Sequence, residues 1–333
     1  MDPKLIKVLP NPFIKFFAKP YIGGDSEDKV IKKSEEIYLE KKYLSTLDAL
    51  GEDVKSSKDI NVFVNLYLEI ARKISKLSAF PDSYTQPSIS LKPSCFIVVE
   101  KNPDGTLNNK KMDWEGCYEN IHKICSYAKE HNVRVTVEME DHQWTDFTMN
   151  TYLKLLDAGL DNVGTVLQTR LFRSRNDLDK FDSRARVRLV IGIYNEPSSL
   201  ALTDKKQMKD LMLEYAKKLF DKGAFVEFAS HDEHYIKRFI EEVIIPNNIE
   251  PTRYEIQMLL GVPKEKLQED LMSGEYLKRL LNGKSTNISN AKINFRLYLP
   301  FALSWDNALA YCRRRLIENP NIAVYGLKHM IFK

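Results

Sequence analysis

The chain has 333 residues, of which 43% are hydrophobic, 11% aromatic and 29% charged, a composition that supplies a large buried core and excludes intrinsic disorder as the main state. The formal net charge is only +4, with Lys and Arg interleaved among Asp and Glu instead of gathered in a block, which argues against nucleic acid as a partner. Cys95, Cys117, Cys125 and Cys312 form no CxxC pair and match neither a zinc site nor a dense disulfide framework, so a reducing cytoplasm is the expected setting.

In chain order, residues 1–43 read as an N-terminal arm and helix. Between Leu5 and Tyr21 this arm mixes Ile6, Leu9, Phe13, Ile14, Phe16 and Phe17 with Lys4, Lys7, Lys15 and Lys19. Such a pattern suits an arm docked on the protein or one resting peripherally on an anionic membrane surface, at its inner face. No run of about 18 apolar residues predicts a spanning helix, and the N-terminus lacks the apolar core of a signal peptide.

From there, short β-branched runs alternate with longer amphipathic stretches, the pattern of parallel strands joined by crossover helices. Strands are predicted at Leu44–Leu47, Ile89–Leu91, Val133–Val137, Val163–Leu167, Val187–Ile191, Phe225–Phe228, Tyr254–Met258 and Asn294–Tyr298. Helices are predicted at Asn61–Leu77, Trp114–His131, Lys205–Lys222 and His234–Ile245, where apolar residues recur three and four apart. Eight strands close an α/β barrel of the (β/α)8, TIM type, which takes ~250 residues plus extensions. No linker, repeat or low-complexity tract divides the chain, so residues 1–333 read as one barrel domain; the other boundary to consider lies before Phe80-Pro81-Asp82.

Chemistry in such a barrel sits where strands end at the C-terminal rim. Polar residues stand at these places in succession: Lys92 ends the second strand, Glu138 and Glu140 the third, Gln168 the fourth, His231 follows the sixth and Tyr298 closes the eighth, with Arg188 inside the fifth. Burying that many charged groups around one axis is costly unless they pair or meet a ligand, so their convergence points to a polar ligand site. Near the C-terminus, Tyr311, Arg314, Arg315 and Glu318 share one helical face at spacings of three and four, placing a phenol, two guanidiniums and a carboxylate together.

The run Arg296-Leu297-Tyr298-Leu299-Pro300 followed by Tyr311-Cys312-Arg313-Arg314-Arg315-Leu316-Ile317-Glu318 resembles the proline dehydrogenase family, whose eighth strand ends in R-x-Y-x-P and whose next helix, lying over the barrel mouth, reads Y-x-x-R-R-x-x-E. Further matches follow the same order. Leu47-Asp48-Ala49-Leu50-Gly51-Glu52 resembles L-D-x-L-G-E, Ser88-Ile89-Ser90-Leu91-Lys92-Pro93 the second-strand motif, and Val137-Glu138-Met139-Glu140-Asp141 the D-M-E-[DE] stretch. Gln168-Thr169-Arg170 is similar to Q-x-Y, Arg188 to Tyr194 to R-L-V-K-G-A-Y, Ala229-Ser230-His231-Asp232 to A-T-H-[DN], and Glu255 to Gly261 to E-x-Q-x-L-x-G. The chain departs at Glu138 for aspartate, Arg170 for tyrosine, Ile191 for lysine, Ser230 for threonine and Ala302 for glycine.

The resemblance implies an FAD-dependent enzyme that oxidises L-proline to 1-pyrroline-5-carboxylate, the first step towards glutamate, and passes the electrons to a quinone. It implies that Lys92, Arg314 and Arg315 grip the substrate carboxylate, that Tyr298, Tyr311 and Leu259 line the proline ring, and that Glu318 orients the cations. Glu138 and Arg188 fall in the catalytic role, with Arg188 beside the reactive ring nitrogen. Met139, Gln168, Arg188, Ile191, Gly192, Ile193, Ser230 and His231 fall against the cofactor, and Glu52 pairs with Arg314 as a gate.

Oxidation of a C–N bond requires a hydride acceptor that no side chain supplies, and no GxGxxG or P-loop pattern is present, so the barrel rim itself would hold the nucleotide. Two other classes remain compatible with the residues. One is a metal-dependent hydrolase using His231, His234, Glu138 and Glu140, although an HxH pair on an early strand is missing and His234 falls on the following helix. The other is a non-catalytic barrel homologue, which the departures from the motif would allow but which gives no physical reason for four converging cations. Methylenetetrahydrofolate reductase is a related flavin barrel, less suited to an arginine pair that grips an amino-acid carboxylate. Hydroxyproline is a conceivable substrate that Tyr298 would crowd.

Overall fold

A computed structural model describes residues 10–51, 54–282, 288, 291–303 and 309. Eight parallel strands, β1 Leu44–Leu50, β2 Ser88–Leu91, β3 Val135–Val137, β4 Val163–Gln168, β5 Arg186–Val190, β6 Phe225–Ala229, β7 Tyr254–Leu259 and β8 Phe295–Ala302, pair in sequence order and close as a barrel through β1 and β8. The (β/α)8 architecture read from the alternation of runs is therefore the one observed, with every expected strand in place.

Helices Ser57–Ile74, Trp114–Glu130, Thr145–Asp157 and Lys205–Asp221 lie in the connections. Three of them begin on side-chain caps. Ser56 accepts from the Asp59 N–H, Asp113 from the Gly116 N–H, and Asp204 from the N–H groups of Lys206 and Gln207, satisfying donors that the first helical turn leaves open. The segment expected as one helix at His234–Ile245 is instead an α-helix at Glu233–Arg238 that continues as a π-helical stretch at Phe239–Ile244. His234 lies on it, as the spacing from His231 suggested. Ahead of the barrel, helices Asn11–Ala18 and Glu27–Lys41 form the arm, with Ile14 buried and Lys15 exposed. No helix among the described residues is long and apolar enough to cross a membrane.

Strand alternation sorts two chemistries onto the two faces of the sheet. Leu47, Ile89, Val135, Val187, Phe228 and Ile256 are all 0% exposed and pack in one cluster with helix residues such as Tyr67, Ile121, Tyr152, Leu219 and Phe239. Each such side chain contributes about 1.5–3 kcal/mol by leaving water. Many of the alternate residues are polar and bond to one another between strands: Arg186 to Thr136 and Glu227, Arg296 to Ser88 and Glu255, Thr46 to Ser88. Burial pushes the Glu227 carboxyl up, but Arg186, Arg188, Arg134 and Arg296 outweigh it and hold its pKa at about 2. The apolar core therefore lies between sheet and helices, while the barrel's own interior is ionic.

The expectation that Tyr298 closes the eighth strand is corrected. β8 runs on to Ala302 and pairs with β1 from Leu44↔Arg296 through Leu50↔Ala302. Pro300 does not stop it, because its carbonyl still accepts from the Gly23 N–H at 2.6 Å, and Ala302 N–H donates to the Gly24 carbonyl at 3.1 Å. A proline without an N–H is tolerated where its carbonyl can serve an outer segment.

Candidate active site

Towards the C-terminal end of the strands, two residues from different parts of the chain meet on the Glu138 carboxylate. Arg188 of β5 donates from Nη1 to Glu138 Oε1 at 2.5 Å, and the Tyr298 hydroxyl of β8 donates to the same oxygen at 3.2 Å. The Arg188 guanidinium also lies 5.1 Å from the centroid of the Tyr298 ring, and its Nε donates to Gln257 Oε1 of β7 at 2.7 Å. Burial acts to lower the Arg188 pKa, yet Glu138 and Glu227 reverse this and hold it above its ordinary value.

Lys92 follows β2, and its Nζ donates to both carboxylate oxygens of Asp48 on β1 at 2.6 Å. Burial acts to depress the ammonium, but Asp48 beside it raises its pKa above the usual lysine value. For Asp48 the balance falls the other way: burial raises its carboxyl against the pull of Lys92. Two short ammonium–carboxylate contacts favour the ionised pair. Glu138 acts on both partners, so the Lys92–Asp48 pair and the Arg188–Glu138–Tyr298 group are electrostatic neighbours.

The remaining predicted rim residues sit beside these. Gln168, the last residue of β4, donates from Nε2 to the carbonyls of Met139 at 3.1 Å and Glu140 at 2.6 Å, fixing the turn after β3. In that turn Glu140 accepts from the Ser94 N–H at 2.9 Å and the Ser94 hydroxyl at 2.7 Å; burial still raises its pKa to about 7. Gly192, between half-buried Ile191 and exposed Ile193, has φ +89°, and a Cβ there would meet the Gln168 carboxamide oxygen and lie 2.8 Å from Arg170 Cδ. Glycine alone fits that positive φ and close approach. After β6, Ser230 Oγ accepts from the Asp232 N–H at 3.1 Å, and His231 Nε2 accepts from the Leu259 N–H at 2.9 Å, so His231 and Leu259 meet at the rim.

Glu52, Tyr311, Arg314, Arg315 and Glu318 lie outside the described residues, and with them the expected Glu52–Arg314 gate. Asp48 and Gln257, the partners that fix Lys92 and Arg188, received no role from the sequence although both stand inside the motifs that carry the resemblance. Their signal was the period of two: Asp48 follows Thr46, and Gln257 follows Glu255, on the axis-facing side. The ligand set considered for a metal does not assemble. Glu138 is engaged by Arg188, Glu140 by Ser94 and His231 Nε2 by a backbone N–H, and no three His, Cys, Asp or Glu side chains among the described residues are placed to hold a metal ion.

The mouth nevertheless carries polar groups without partners. Arg188 Nη2, Gln168 Oε1 and Arg170 Nε are buried and have no hydrogen-bond partner among the described residues. Leaving such atoms unpaired costs about 1–3 kcal/mol each, more when charged. Guanidinium N–H donors beside a carboxamide oxygen that accepts suit the edge of an isoalloxazine, which carries both acceptor atoms and a ring N–H, so the residues present suit a flavin.

Known proteins resemble this chain over most of its length. The profile of the family described as proline dehydrogenase matches residues 30–324. Proline dehydrogenase 1 of Bacillus subtilis subsp. natto is 26% identical over 319 residues, covering 95% of this chain and 91% of that protein. The proline dehydrogenase of Deinococcus radiodurans is 27% identical over 320 residues, covering 94% and 90%. Among solved structures, proline utilization A (PutA) from Bdellovibrio bacteriovorus inactivated by N-propargylglycine superposes with a TM-score of 0.73 at 19% identity over 92% of this chain, which spans only 33% of that longer chain; this likeness speaks to the fold. A match that runs through nearly the whole barrel, on top of the motif order and the mouth geometry, makes this chain a member of the proline dehydrogenase family.

Proposed function

We propose that the chain oxidises L-proline to 1-pyrroline-5-carboxylate, the first step in converting proline to glutamate, with FAD as cofactor and a quinone as electron acceptor. The observation that carries this reading is the Arg188–Glu138–Tyr298 group beside Lys92, in which Arg188 is buried, Glu138 and Tyr298 are half-buried, and Arg188 Nη2 is left over for a ligand. FAD supplies the hydride acceptor that no side chain can be. Arg188 Nη2 and the Gln168 carboxamide hold its ring, Met139 packs against it, and Ile191, Gly192, Ile193, Ser230 and His231 border the rest. Fixed positive charge at Arg188, in a site shielded from water, stabilises negative charge that develops next to it.

Lys92 with Arg314 and Arg315 receives the substrate carboxylate, since a guanidinium fork matches a carboxylate in two parallel bonds. Asp48 keeps the Lys92 ammonium charged and aimed at the mouth. Tyr298, Tyr311 and Leu259 line the apolar ring, Glu138 and Glu318 orient the cations, and Glu52 closes on Arg314. Positioning of this kind contributes a large share of rate acceleration. The test is reduction of an artificial electron acceptor by FAD-loaded protein on adding L-proline, with the imine product trapped chemically. Proline-dependent reduction with product supports the reading, whereas flavin-loaded protein that leaves the acceptor oxidised points to a non-catalytic homologue.

A further inference from the structure

Arg170 stands two residues beyond Gln168, where its backbone N–H donates to the Ile191 carbonyl at 3.2 Å and its carbonyl accepts from the Leu202 N–H at 2.8 Å. Its side chain turns to the loop after β5: Nη1 donates to the Tyr194 carbonyl, and Cδ lies against Gly192. Other arginines of the axis and rim each hold a carboxylate, as in Arg173–Asp177 at 2.8 Å, Arg186–Glu227 at 2.5 Å, Arg188–Glu138 at 2.5 Å and Arg296–Glu255 at 2.6 Å. Arg170 pairs with none among the described residues, and its Nε is buried without a partner. A half-buried guanidinium that is always charged needs an anion, and its planar fork matches phosphate oxygens.

The loop it reaches also lacks a cation of its own, because position 191 carries isoleucine where the motif has lysine. Arg170 and Ile191 are backbone neighbours, so a charge lost from β5 is restored from β4 at the same part of the rim. We propose that Arg170 receives the phosphate oxygens of the flavin dinucleotide, acting as the cation that position 191 does not supply. This rests on the flavin reading above and extends it to a residue at which the chain departs from its family.

The test is fluorescence titration of flavin-free protein with FAD and, separately, with riboflavin, which has the same ring but no phosphate. Arg170→Gln keeps a donor for the Tyr194 carbonyl and removes the charge. It should weaken FAD binding about 10–100-fold, the range for a hydrogen bond to a charged group, and leave riboflavin binding as in the parent. Arg170→Gln combined with Ile191→Lys should regain most of the FAD affinity. Unchanged FAD binding in Arg170→Gln, equal weakening of FAD and riboflavin, or a double variant no tighter than the single one would each overturn the proposal. A parent protein that binds no FAD would instead sink the flavin reading, and this inference with it.

Discussion

Arg296 and Arg188 are two buried guanidiniums inside the same barrel, 1% and 4% exposed, yet their partners differ in kind. Arg296 makes five hydrogen bonds: Nε to Glu255 Oε1 at 2.6 Å, Nη1 to the Ser45 carbonyl and Ser88 Oγ, and Nη2 to the Tyr84 carbonyl and Glu255 Oε2. Arg188 makes two, to Gln257 and Glu138, and leaves Nη2 without a partner among the described residues. Burial and charge are alike at both positions; saturation is not. A guanidinium with every donor engaged belongs to the scaffold, whereas one with a buried donor left over is set up for a ligand.

The largest effect that would break this contrast is on stability. Arg296→Met leaves the Glu255 carboxylate buried without its cation, so unfolding free energy should fall by about 3–5 kcal/mol, read by chemical denaturation. A loss of under about 1 kcal/mol, the scale of an exposed pair, would mean that the Arg296 network is not structural. Next, Arg188→Met should lower kcat for proline by about 10²–10³-fold, the usual scale for removing a preorganised charge, with a smaller loss of stability than Arg296→Met. Equal stability losses and intact turnover would erase the distinction between the two ends.

A pH series sharpens the picture for the turn after β3. Burial raises the Glu140 pKa to about 7 from 4.5, so the neutral carboxyl is favoured by folding. Stability from this group is fully present below the unfolded value and is lost as pH rises through about 7. Glu140→Gln removes that dependence, so its melting temperature should gain on the parent between about pH 5 and pH 8. A difference that stays constant across that interval contradicts it. The smallest effect expected is for Tyr298→Phe. It removes one hydrogen bond to Glu138 while Arg188 still holds the carboxylate, costing about 1 kcal/mol as read from denaturation midpoints.

These two ends were not equally legible in the sequence. The strands could be read because β-branched runs repeat between amphipathic helices, and the mouth could be read because Lys92, Glu138 and Gln168 fall at strand ends and Arg188 inside the fifth strand, all within recognisable motifs. Hidden from that reading was who pairs with whom. Asp48 meets Lys92 across 44 positions and Arg296 meets Glu255 across 41, contacts that exist only once the barrel's register is set. Tyr298 reads as the end of the eighth strand, which instead runs on to Ala302. Pairing with β1 and a carbonyl that still accepts carry the strand past Tyr298. Arg170 and Ile191 read as two separate departures until the fold put them side by side.

An absorbance scan of the FAD-loaded protein without oxygen, before and after L-proline, decides whether the barrel mouth holds a flavin that proline reduces, as we propose. The flavin band should bleach on adding L-proline and return with a quinone. A protein that takes up no flavin, or a bound flavin whose spectrum proline leaves untouched, would contradict it.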